Sequence, residues 1–122
     1  MKYILVWVML TSAALAETYK ISGDLVAFEN KNGLLVKGCQ KKCVALEKVA
    51  AFKKINLKKI RTKEKFYGSV GSDVCRLVYK APSVIGIEQN RDQRAFCVFS
   101  DNSMIEINSL TEYLSDKKIV KE

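Results

Sequence analysis

Residues 72 to 107 read SDVCRLVYKAPSVIGIEQNRDQRAFCVFSDNSMIEI, and the fold follows from how this stretch breaks. Ser72 is a favoured N-cap residue, and Asp73 puts a carboxylate in the first turn, where it suits the helix dipole. Val74, Leu77, Val78 and Ala81 repeat at i, i+3, i+4 and i+7, which predicts a short helix with one apolar face. Pro82 ends it, because the residue before proline is driven out of the α region. Three strand patterns follow: Ser83 to Glu88, Ala95 to Phe99, and Met104 to Ile107. A polar turn, Gln89 to Gln93, and a tight turn at Asp101-Asn102 separate them. In the last strand Met104 and Glu106 face one way and Ile105 and Ile107 the other. The stretch predicts a short helix followed by a three-stranded antiparallel meander.

Downstream, Ser109 reads as the cap of a C-terminal helix, Leu110 to Lys117, whose Leu110, Tyr113 and Leu114 pack back on the sheet. Upstream, Thr18 to Phe28 reads as a strand bent at Gly23. Asn32-Gly33 is a two-residue hairpin turn, since both residues tolerate positive φ, and Leu34 to Val36 returns as the second strand. Lys41 to Lys54 is rich in helix formers, with Leu46, Val49, Ala50 and Lys53 on one side and Ala45 and Phe52 flanking. This predicts a basic amphipathic helix; a strand over Cys43 to Val49 is the alternative. Ile55 to Ile60 extends the helix after a break at Asn56. The fold class is α+β, a small single domain over residues 17 to 122: an N-terminal β-hairpin, a basic helix, a short helix, the meander and a C-terminal helix.

The first sixteen residues have the layout of a secretory signal peptide. Met1-Lys2 is a basic start, Tyr3 to Leu10 an apolar run, and Ala14-Leu15-Ala16 a small-x-small cleavage signal before Glu17. As a helix, Tyr3 to Ala16 would span ~21 Å against a ~30 Å hydrocarbon core, too short for an anchor. The expectation is a cleaved, exported product, periplasmic or secreted, with no transmembrane segment after cleavage.

Histidine is absent from the chain. That excludes Ser-His-Asp hydrolysis, Cys-His nucleophilic chemistry and the usual imidazole-ligated metal sites. Neither a catalytic residue, a metal site nor a cofactor is expected. The carboxylates Glu88, Asp92, Asp101 and Glu106 read as solvated charge around the turns and faces of the meander.

Four cysteines, Cys39, Cys43, Cys75 and Cys97, read as two disulfides with three possible connectivities. Cys75 on a helix laid over the strand that carries Cys97 brings those two within reach of a bridge. For Cys39-Gln-Lys-Lys-Cys43 a regular helix would hold the Cβ atoms ~5–6 Å apart, too far to close. Cys39 is therefore placed in a turn and Cys43 in the first turn of the basic helix. Lys37, Lys41 and Lys42 beside a helix start would lower a thiol pKa, the setting of a redox-active pair. The alternatives are a local staple, or bridges from either cysteine to Cys75 or Cys97.

Positive charge is concentrated. Between Lys37 and Lys65 eleven basic residues stand against two acids, Glu47 and Glu64. Such a field implies an acidic protein or an anionic envelope polymer or lipid as partner. The candidate contacts are Lys41, Lys42, Lys48, Lys53, Lys54, Lys58, Lys59 and Arg61. Nucleic acid could use the same lysines with Phe66 and Tyr67 for stacking, but no recognition module surrounds them and export disfavours it. The basic, partly amphipathic run Val44 to Ile60 also fits a membrane surface.

The SDVC helix start with Cys75, and CVFSDNS from Cys97 to Ser103 with Glu106, resemble a small bacterial exported domain that carries a hemolysin label. The family has an early cysteine on a short helix and then a Cys-Val-Phe-Pro-Asp-Gly-Ser hairpin. The match runs from Ser72 to Tyr113. Ser100 and Asn102 replace the family's proline and glycine; Ile105 and Asn108 replace a cysteine and a tryptophan. The resemblance implies a Cys75–Cys97 bridge across helix and hairpin and adds no mechanism.

Together these readings predict an exported, non-enzymatic binding protein with a basic contact surface. The rivals are a thiol–disulfide protein using Cys39 and Cys43, an inhibitor presenting Gln89 to Arg94 to a secreted hydrolase, and a membrane-active protein.

Overall fold

A computed structural model describes residues 17–51, 54–61, 68–88 and 91–121. The expected signal peptide, residues 1–16, and Phe52, Lys53, Lys63, Lys65, Phe66, Tyr67 and Gln89 lie outside them. The protein is a small mixed helix-and-strand domain built on a closed antiparallel barrel.

Strand β1 (Glu17–Ile21) turns back into β2 (Asp24–Lys31) through Ser22 and Gly23, at φ 53° and 88°. The expected bent strand is thus a hairpin, because both turn residues adopt positive φ. Asn32 and Gly33, at φ 56° and 92°, form the next such turn into β3 (Leu34–Lys37), as their sequence requires. Strands β5 (Ser83–Ile87), β6 (Gln93–Val98) and β7 (Met104–Glu106) are consecutive antiparallel neighbours. They do not form a free-standing sheet. β7 pairs with β3 and β5 with β1, closing the order β1-β2-β3-β7-β6-β5. Closure removes the exposed edges that an open hairpin and an open three-stranded sheet would each present.

The barrel interior is aromatic. Phe28 and Phe96 lie 4.6 Å apart, and Tyr19 packs edge-on against both, with Ile21 and Leu35 beside them. The outer wall over β3, β6 and β7 carries the larger core, where Leu34, Val36, Cys97 and Ile105 meet residues of the helices. β3 is buried on both faces, which is why Leu34-Leu35-Val36 is a continuous apolar run rather than an alternating one.

Helix α1 (Val44–Ala51) begins three residues later than the composition of Lys41 to Lys54 implies, because a disulfide turn precedes it. Ile55–Asn56 is a two-residue strand, β4, parallel to β8 (Val120–Lys121), and not a helix extension. Asn56 then caps the single-turn helix α2 (Leu57–Ile60), its side chain accepting the Lys59 N–H at 3.2 Å.

Helix α3 (Val70–Asp73) is capped by Ser69, whose hydroxyl accepts the Ser72 N–H at 3.2 Å. The expected cap, Ser72, lies inside the helix. The chain continues as a π-helical turn, Val74–Val78, closed by the Tyr79 N–H on the Val74 carbonyl at 2.9 Å. Helix α4 (Ile107–Asp116) starts earlier than expected and is capped by Glu106, not Ser109. The two Glu106 oxygens accept the Asn108 and Ser109 N–H groups at 2.6 and 2.9 Å. Ser109 instead accepts the Leu35 N–H at 3.0 Å, tying α4 to β3. α3 crosses α4 at Gly71, whose N–H donates to Thr111 Oγ1 at 2.8 Å. A Cβ there would stand 2.5 Å from the Ile107 carbonyl oxygen. Leu110 and Leu114 are fully buried in this layer, each contributing about 2–3 kcal/mol of apolar burial.

Candidate functional site: a stapled helix start and the lysines around it

Cys39 and Cys43 are bridged, with Cα atoms 5.0 Å apart, immediately before α1. Gly38 turns the chain into the bridge at φ 76°, and the Lys31 ammonium donates to the Cys39 carbonyl. The first N–H groups of a helix have no partner within it. Here each of the first three has one from elsewhere. Val44 N–H donates to Asp101 Oδ2 at 2.9 Å, Ala45 N–H to Ser103 Oγ at 3.1 Å, and Leu46 N–H to Cys43 Sγ at 3.4 Å. Ser103 donates both its hydroxyl and its N–H to Asp101 Oδ1. These bonds, the Ser103 hydroxyl first and the Val44 N–H next, hold the Asp101 carboxyl below its ordinary pKa.

Two consequences follow. The turn between β6 and β7 is built to receive α1, so Asp101 and Ser103 have positioning roles that a reading of them as tight-turn residues misses. The positive end of α1 is already occupied by an internal carboxylate, so an anion bound nearby must be held by side-chain cations.

Lys41 and Lys42 are exposed in the disulfide turn, Lys48 is exposed on α1, and Lys54, Lys58 and Lys59 are exposed around β4 and α2. The lysines thus flank both ends of α1, which spans ~12 Å at 1.5 Å per residue. Lys53 lies outside the described residues. Arg61 is directed inward instead. Its Nε donates to Asp73 Oδ2 at 2.7 Å and its terminal nitrogen to the Gly68 carbonyl at 3.3 Å. Asp73 is fully buried and also meets Arg76 at 3.4 Å and the Gly68 N–H at 3.0 Å. A carboxylate so placed needs its cations, and Arg61 acts as that partner.

Cys75 and Cys97 are the second bridge, with Cα atoms 5.9 Å apart, joining the π-helical turn to β6. All four half-cystines are at most 3% exposed. Exchange requires a thiolate to reach a disulfide sulfur, and neither bridge offers one to solvent.

The carboxylates expected to be solvated are largely engaged. Glu106 is 4% exposed and caps α4, Asp101 caps α1, and Glu88 accepts from Arg94 Nε at 2.8 Å. Turn geometry and helix capping, rather than solvation, set their places. At the barrel mouth the Tyr19 hydroxyl donates to Glu17 at 3.1 Å; burial and then that bond push its pKa up. Among the described residues no group of His, Cys, Asp or Glu side chains is arranged to hold a metal ion.

No protein-family model, curated protein or solved structure matches this chain. The segment from Cys97 to Ser103 is tied into the fold at four residues. Cys97 is bridged, Phe99 is in the core, and Asp101 and Ser103 hold the start of α1. Each has a structural use.

Proposed function

We propose that the protein is an exported, non-enzymatic binding module that engages an anionic envelope polymer or lipid, or an acidic protein, through the lysines around α1. One observation carries this reading. Lys41, Lys42, Lys54 and Lys58 are exposed, and none forms an ion pair with an acidic side chain among the described residues. Lys41 and Lys42 stand in the turn closed by the Cys39–Cys43 bridge, Lys58 on the helix capped by Asn56, and Lys54 directly before β4. A cation on a fixed scaffold loses less freedom on binding than one on a mobile loop.

Export is supported by the leader pattern in residues 1 to 16 and by two buried disulfides, which persist in oxidising compartments. No helix among the described residues is long and apolar enough to cross a membrane. The basic surface comprises Lys41, Lys42, Lys48, Lys54, Lys58 and Lys59; Arg61 contributes to the fold. A thiol–disulfide role has less support, because the Cys39 and Cys43 sulfurs are covered.

The test replaces Lys41, Lys42, Lys54 and Lys58 by Gln together and measures binding to poly-L-glutamate and to phosphatidylglycerol vesicles. Loss of binding with an unchanged urea midpoint supports the reading. Binding that survives all four replacements contradicts it.

A further inference from the structure

A cleft of about 530 Å³ opens between α1 and the segment that leaves the π-helical turn. Lys48 enters its lining from α1, and Lys80 from the chain just after the turn. Val98 and Pro82 form an apolar wall and are tied together by the Val98 N–H on the Pro82 carbonyl at 2.9 Å. Tyr79 and Phe99 add two rings 5.6 Å apart. Lys80 lies in the left-handed region at φ 54°, uncommon for a residue other than glycine and enriched where a site shapes the backbone. The Cys75–Cys97 bridge ties the two sides of the cleft's wall together, since Cys97 precedes Val98 and Cys75 lies in the π-helical turn that leads to Lys80 and Pro82.

The lining includes two lysines, Lys48 and Lys80, and no acidic residue. Two acids adjoin lining residues in sequence. Asp101 is committed to the N-terminus of α1, and Glu47, exposed on α1 next to Lys48, lies on a different face of that helix, since side chains at i and i+1 do not face each other. The volume falls in the range of small-molecule sites, and apolar walls with a few charged groups are their usual make-up. Two cations without a counter-charge over an aromatic floor fit a ligand with one acidic head and an apolar body.

We propose that this cleft binds a small amphipathic acid, its aryl or medium-length acyl body on Phe99, Val98 and Pro82 and its carboxylate between Lys48 and Lys80. The proposal goes beyond the basic-surface reading. It uses Lys80, which lies outside the lysine-rich stretch, and does not use Lys58 or Lys59.

The experiment titrates decanoate into the isotopically labelled, fully oxidised protein and follows backbone amides by NMR, with decanol and phosphatidylglycerol vesicles as comparison probes. Saturable shifts confined to Tyr79–Pro82, Val98–Phe99 and the Val44–Lys48 stretch of α1 are expected. Lys48→Gln with Lys80→Gln lowers affinity roughly tenfold or more, because two charge-assisted contacts are lost. Lys58→Gln with Lys59→Gln leaves it within about twofold. Shifts that are absent or spread over the surface overturn the proposal. So do decanol binding as tightly as decanoate, an equal loss in the Lys58/Lys59 variant, or vesicle binding without decanoate binding. Lysine-dependent polyglutamate binding is measured separately, so either proposal can fail alone.

Discussion

Asp101 Oδ2 accepts the backbone N–H of Val44 at 2.9 Å across 57 positions of chain. A turn between two barrel strands thus caps the helix that carries Lys48, and the disulfide at Cys39–Cys43 delivers that helix to the cap. The barrel, the staple and the basic face are one mechanical unit.

Replacing Asp101 by Ala removes an N-cap and is expected to cost about 1–2 kcal/mol at neutral pH. The pH dependence has a fixed sign. The Asp101 carboxyl is held below its ordinary value of 3.8, so its contribution is complete above that value and disappears as pH falls through the lower folded-state pKa. Urea denaturation of wild type and Asp101→Ala at neutral and at acidic pH checks this. The difference between the two proteins should shrink on acidification.

The bridges should contribute unequally. Cys75–Cys97 joins residues 22 apart and Cys39–Cys43 residues 4 apart. On chain-entropy grounds, losing the first costs about 3 kcal/mol and losing the second about 2 kcal/mol. Paired Ser variants compared by thermal melting give the order. Peptide mapping under graded reductant should show both bridges resisting mild reduction, since their sulfurs are covered.

Asp73 is fully buried between Arg61 and Arg76. Asp73→Ala leaves a largely buried guanidinium without its counter-charge, and a loss of about 3–5 kcal/mol is expected. Arg76→Gln, whose side chain is half exposed, should cost under about 1 kcal/mol. Urea midpoints of the two variants make the comparison.

Gly71 marks the closest approach of α3 to α4. A methyl group there would meet backbone and Thr111 Oγ1 at 2.5 to 2.6 Å, with no flexible side chain to yield on the carbonyl side. Gly71→Ala is expected to destabilise by about 1–3 kcal/mol despite the better helix propensity of alanine. Thermal melting measures it; a stabilised variant would mean that the two helices can separate at no cost.

What the sequence revealed was local. Asn32-Gly33 announces its turn because so few residues accept two positive φ values, and Pro82 stops a helix by sterics alone. The near-continuous apolar run Ala95 to Phe99 also declared a buried strand. The cap of α3 was readable in kind but not in place. Ser69 has the same capping chemistry as the expected Ser72, and only the direction of the side chains separates them. Glu106, not a favoured N-cap type, displaces Ser109 because its carboxylate reaches the Asn108 and Ser109 N–H groups. Closure of the barrel rests on β1–β5 and β3–β7 pairing between distant segments, which leaves no periodic trace. The Asp101 cap has the same origin, and so does the inward turn of Arg61 from a lysine-rich stretch that reads as uniformly outward. The cleft between Lys48 and Lys80 joins residues that no motif connects.

The most direct test of the central claim is the salt dependence of binding between the oxidised, full protein and poly-L-glutamate. A basic contact surface gives measurable affinity at low ionic strength that falls steeply as salt approaches about 0.15 M, where the Debye length is ~8 Å. The four-lysine variant then binds weakly at every salt concentration. Affinity insensitive both to salt and to those lysines would contradict a basic contact surface.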